Sequence, residues 1–151
     1  MSQAKMAKAD GVQDLPAPDQ FPDADVVIYD GHCFFCKGQV ARLHRLDGRN
    51  RLAFISLHDE SVARRYPDLT HDQMMKQMYI IDRHGGRHGG AVAIRYLSRR
   101  LPSLWLLAPL LHIPFTLPLW SWLYNQIAIR RYRMNPPANC ENGACEIHFR
   151  K

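Results

Sequence analysis

Cysteine is scarce in this chain, with four residues among 151, too few for a small domain stapled by disulfides. The N-terminus lacks the basic-then-apolar pattern of a secretory signal, so a reducing cytoplasm is the expected setting. Acidic residues almost vanish from the C-terminal part: residues 83 to 151 carry ten basic side chains against Glu141 and Glu146 alone, a net charge of +8. Residues 1 to 25, with Lys5 and Lys8 against five aspartates, are net −3. A basic half of this kind suits nucleic acid, an anionic membrane surface or simply solvated helix faces; no recognition motif accompanies it, so nucleic acid is not an expected partner. Long uninterrupted apolar runs are missing too. The apolar stretch from Leu101 to Tyr124 is divided by Pro102, Pro109, Pro114 and Pro118, with His112 in its middle, whereas a spanning helix needs roughly 20 predominantly apolar residues. Internal repeats are absent.

What is present is the composition of one folded domain. Apolar residues make up 46% and charged residues 23%, which excludes wholesale disorder, and the length suits a single core. Residues 1 to 24 are polar and interrupted by Pro16, Pro18 and Pro22, a flexible leader. Val26 to Tyr29 form a short apolar, β-branched run stopped at Asp30 and Gly31, the pattern of a buried strand. From Cys36, apolar positions at Val40, Leu43 and Leu46 have helical spacing that ends at Asp47 and Gly48, where glycine suits a left-handed cap.

Leu52 to Leu57 predict a second strand and Asp59 to Tyr66 a second helix, stopped by Pro67. Met78 to Asp82 and a short run toward Gly90 predict a hairpin about His84, Gly85 and Gly86. Ala91 to Arg100 predict a further helix. The order is βαβα then ββα, which implies a parallel pair extended by antiparallel strands, the α/β core of a thioredoxin or glutaredoxin. The Pro-punctuated stretch predicts two short helices packed on that core as an added C-terminal layer. Leu119, Leu123 and Ile127 then face inward, and Arg130, Arg131 and Arg133 complement the final helix dipole. The alternative is that Trp105, Trp120 and Trp122 dip into a membrane interface. Residues 135 to 151 make a Cys-containing tail.

Cys33 and Cys36 form a C-x-x-C between a strand and a helix. A helix N-terminus presents unpaired N–H groups and partial positive charge, which favour thiolate over thiol, and the thiolate is the attacking species. One helical turn separates the two sulfurs, so the second can reach back and resolve a mixed disulfide. Cys33 is thus the expected nucleophile and Cys36 the resolver. His32, if protonated, would favour the Cys33 thiolate; equally it can point to solvent. Asp30, three residues before Cys33, either relays a proton from Cys36 or shapes the turn. Phe34 and Phe35 either exclude water and bind an apolar partner or, for Phe35, fill the core.

Cys140 and Cys145 supply a second pair. Zinc sites usually join closely spaced pairs, but here about a hundred residues intervene and the second spacing is C-x4-C, so no metal is expected. An inert tail and a second redox pair that accepts oxidising equivalents from the first both remain open. The non-enzymatic alternative is a metal-binding or membrane-surface adaptor that uses the four cysteines or the Trp-rich helices.

Tyr29-Asp30-Gly31-His32-Cys33-Phe34-Phe35-Cys36 resembles the signature of the DCC family of thiol-disulfide oxidoreductases, named for its D-x-x-C-x-x-C. The Gly-Gly-Ala-Val-Ala-Ile run at 89 to 94 is similar to the family's G-x-x-A segment. Tyr124 to Arg133 is similar to its closing Y-x-x-x-A-x-x-R-Y-R helix, and coverage is about residues 26 to 134. The resemblance implies a thioredoxin-like fold and dithiol oxidoreductase activity with Asp30, Cys33 and Cys36 at motif positions. Protein or small thiol and disulfide substrates follow, and no organic cofactor is required, since the electrons travel through sulfur. Two departures stand out. His32 and Phe34 occupy variable positions that tune the potential, and Lys76, Gln77 and Met78 stand where thioredoxins carry a cis-proline, leaving Met78 as the candidate docking residue.

Overall fold

The computed structural model describes residues 15–134. Its centre is a four-stranded mixed sheet of strand order β2-β1-β3-β4. β1 (Asp25–Tyr29) and β2 (Leu52–Ser56) are parallel, with Asp25 opposite Leu52 and Tyr29 opposite Ser56. They are joined by α1 (Phe34–Leu46), the crossover helix that a parallel pair requires. β3 (Tyr79–Ile81) runs antiparallel to β1, pairing Ile28 with Tyr79, and β4 (Arg87–Gly89) closes the hairpin. The hairpin turn is organised by Asp82, whose carboxylate accepts the His84 and Gly86 N–H groups, while Gly85 takes a φ of 85° that few side chains tolerate. This is the expected α/β, thioredoxin-like order.

Side chains of β1 alternate between two cores. Val27 and Tyr29 join Val40 of α1, Phe54, Ile80 and Leu97 on one face. Ile28 joins Leu57, Val62, Leu69 and Met74 on the other. Covering the second face takes two short helices, α2 (Glu60–Arg65) and α3 (His71–Lys76), where the sequence reading had only the first. The missing helix has a legible start: Thr70 and Gln73 form a capping box, each side chain accepting the other's backbone N–H. The leader is anchored at its end, for the Pro16 carbonyl accepts the Phe54 N–H along the outer edge of β2 and Leu15 packs on the first core.

One local expectation needs correction. Helix α1 begins at Phe34, capped by Cys33, and ends at Leu46, with Asp47 as its C-cap; the Asp47 carboxylate accepts the Arg49 and Leu52 N–H groups. The left-handed residue of that turn is Asn50, at φ 49°, instead of Gly48; the asparagine side chain tolerates this region.

The C-terminal layer departs further. After α4 (Gly90–Arg100), which packs on the first core, come a 3-10 turn (Pro102–Leu104), the one-turn α5 (Ala108–Leu111) and α6 (Leu117–Met134), 18 residues long. Pro118 lies in the first turn of α6, where a missing N–H costs nothing, so it opens a long helix instead of breaking one. Leu119, Leu123 and Ile127, expected inside, are exposed. The face turned inward carries Tyr124 and Ala128, and α6 packs along α4. No helix among the described residues is long and apolar enough to cross a membrane.

Candidate dithiol site

The site lies at the C-terminal end of β1. Strand pairing carries two other segments to the same end: β2 delivers His58 just past Ser56, and the antiparallel β3 starts beside Met78; His71, the first residue of α3, meets His58 there. Gly31 lets the β1–α1 loop lie against β2, because a Cβ there would come within 2.5 Å of Ser56 Oγ.

Cys33 is the N-cap of α1, with extended backbone (φ −86°, ψ 116°), and its Sγ accepts the Cys36 backbone N–H at 3.4 Å. A sulfur in this position occupies the place of a capping hydroxyl, aimed at the donors the first turn leaves unpaired. Negative charge on it is stabilised by those donors and by the helix dipole. Cys33 is half-buried, Cys36 buried. Phe34, the first helical residue, is 68% exposed, whereas Phe35 is half-buried and belongs to neither core cluster.

Asp30 is a buried carboxylate. Its Oδ1 accepts the His32 backbone N–H at 2.9 Å and lies 2.9 Å from His58 Nε2. It therefore does shape the turn, and it also has a partner 28 residues away that the sequence reading did not single out. The exposed His32 ring stacks on His58, centroids 3.9 Å apart, and the His71 ring is tilted against His58 at 5.5 Å. Three imidazoles and a carboxylate thus gather beside the dithiol. Burial in the first core pushes the Tyr29 hydroxyl above its ordinary pKa. The signal for His58 was its place one residue past the end of a strand predicted to pair in parallel with β1.

Asp30, His32 and His58 bring possible ligand atoms within 4.8 Å of one another, the cluster among the described residues that could hold a metal ion, and neither cysteine belongs to it. Cys140 and Cys145 lie outside the described residues, as does any site they would complete. Met78 is half-buried against the first core; its N–H is donated to Tyr124 Oη of α6 and its carbonyl accepts the Gly90 N–H. Its main chain is therefore engaged by its own fold, and no cis peptide occurs among the described residues.

A βαβ-ββα sheet with a dithiol at the N-terminus of its first helix defines the thioredoxin-like class. Within that class the chain belongs to the DCC1-like thiol-disulfide oxidoreductase family, whose sequence profile matches residues 27–136. No curated protein and no solved structure matches the chain.

Proposed function

We propose that the protein catalyses thiol–disulfide exchange with Cys33 as nucleophile and Cys36 as resolver, on protein or low-molecular-weight disulfides. The observation that carries this reading is the Cys33 sulfur at the α1 N-cap, accepting the Cys36 N–H. The Cys33 thiolate attacks one sulfur of a substrate disulfide; the new S–S bond forms as the old one breaks, and the departing thiolate takes a proton. Cys36 then gives up its proton and attacks Cys33 Sγ, releasing the second substrate thiol and leaving a Cys33–Cys36 disulfide. Run backwards, the same steps oxidise a substrate dithiol.

The buried Asp30 is the base at this end of the sheet. Its hydrogen bond to the partly exposed His58 connects the carboxylate to solvent, which supports a role for the pair in carrying the resolving proton. His32, through its stack on His58, is a tuning residue, and the exposed Phe34 offers an apolar contact to a substrate chain. The cytoplasmic setting expected from cysteine usage suits a dithiol kept reduced between turnovers.

Trapping tests the assignment. Cys36→Ser should accumulate a covalent mixed disulfide with a small aromatic disulfide, seen as an adduct on Cys33 by mass spectrometry of the digested protein. Faster alkylation of Cys36 than of Cys33 in the native protein would reverse the roles, and turnover surviving in Cys33→Ser would end the proposal.

A further inference from the structure

The exposure that corrects the packing of the C-terminal layer leaves an apolar surface that dithiol chemistry does not use. Between Trp105 and Ile129 nearly every turn of chain presents a large hydrophobic side chain to solvent. Leu106 is 94% exposed and Phe115 97%, so neither has any packing role in this fold. Phe115 is held at the turn between α5 and α6 with a φ of 66°, a conformation that bulky residues rarely take. The Thr116 N–H and hydroxyl both bond the Ile113 carbonyl and fix that turn. Trp122 and Trp105 are more than half exposed, and the Trp105 indole N–H is bonded to the Arg99 carbonyl. Exposed apolar surface on this scale marks an interaction site.

Charge selects the occupant. From Arg83 to Met134 the chain has eight arginines and no acidic residue; Arg87 is paired with Asp68 and Arg100 with Asp25, while Arg99 and Arg130, which flank the apolar segment, are exposed. Where the apolar segment begins, Pro102 and Ser103 border a recess that also carries Arg45, Arg49 and Arg51. The one carboxylate there, Asp47, is already used by the Arg49 and Leu52 N–H groups. A second copy of the chain seated on the same face would set arginine against arginine, since a two-fold contact repeats the same patch on both sides. Apolar and aromatic tips framed by cations match instead a layer of anionic headgroups over hydrocarbon, as at a cytoplasmic leaflet.

We propose that the layer from Trp105 to Ile129 docks peripherally on anionic lipid bilayers. Leu106 and Phe115 enter the acyl boundary, tryptophans sit at headgroup level and the neighbouring arginines meet lipid phosphates. The docking is reversible and involves no spanning segment.

Flotation of the full-length protein with vesicles provides the test. The protein should float with vesicles of phosphatidylcholine and phosphatidylserine in equal parts, remain unbound with phosphatidylcholine alone, and be released by high salt, which screens the headgroup attraction. Combined Leu106→Asp and Phe115→Asp should weaken binding by at least about tenfold, with the melting temperature and the Cys33 alkylation rate unchanged because both side chains are already in water. Failure of the native protein to float with anionic vesicles overturns the proposal, as does equal flotation of the double variant. A dimer that the double variant splits, with no vesicle binding, overturns it in favour of a second copy.

Discussion

Replacing Arg100 by methionine should destabilise the protein without touching its thiol chemistry. Asp25 opens β1 and its side chain is fully buried. Its Oδ2 accepts from Arg100 Nε at 2.7 Å and from the Tyr96 hydroxyl at 3.0 Å, and its Oδ1 from the Arg83 N–H at 3.1 Å. The carboxylate thus ties α4 and the β3–β4 turn to the central strand. Removing the only cation among these donors leaves a buried charge, which costs about 3–5 kcal/mol in fully enclosed pairs. Arg100 is 23% exposed and two neutral donors remain, so a discounted cost of about 2–3 kcal/mol is expected, or roughly 5–10 °C in melting temperature for a chain of this size. Arg100→Lys should recover only part, since a flexible ammonium does not reproduce the guanidinium geometry.

The same triad sets an alkaline limit. Tyr96 is pushed up to about 12, first by burial, then by the Asp25 charge and the hydrogen bond to it. A raised folded-state pKa means that the stabilisation is fully present below the unfolded value of 10.0 and is lost as pH climbs from there through about 12. Tyr96→Phe should flatten that decline. Urea titrations at neutral pH and across this window, read alongside the Cys33 alkylation rate, provide the check. A change under about 0.5 kcal/mol for Arg100→Met would refute the reasoning, as would an altered alkylation rate at unchanged stability.

Asp30→Asn and His58→Gln should each slow the resolving step by about tenfold to a hundredfold while leaving the first attack nearly intact; stopped-flow release of the second substrate thiol, with mixed-disulfide formation as control, measures both, and equal slowing of the two steps would make Asp30 merely structural. Cys140→Ser combined with Cys145→Ser should lower turnover with a protein disulfide if those residues form a second redox pair. Four cysteines allow three pairings, so disulfide mapping of the oxidised chain should find Cys33 with Cys36 and Cys140 with Cys145. Unchanged turnover would leave the first pair alone catalytic, and bound zinc with four protected thiols would point to a metal site instead.

The order of strands and helices, and the dithiol at the junction of β1 and α1, are legible in the sequence by itself, because both are local: a short β-branched run, a turn and a helical repeat specify their own backbone within a few residues. The capping box at Thr70 and Gln73 was equally local, yet the six-residue helix it opens carries too few turns for periodicity to reveal. Tertiary structure alone decided the rest. Asp30 and His58 meet because β1 and β2 pair in parallel with a particular register, and no spacing along the chain encodes a hydrogen bond across 28 residues. The inward face of α6 was likewise undecidable from pattern. A helix apolar on several sides offers more than one consistent stripe, and the stripe that is buried is the one whose Tyr124 hydroxyl reaches the Met78 N–H beside the docked α4. Leu119, Leu123 and Ile127 follow the same repeat one position out of phase, and packing on α4 therefore turns them to the surface.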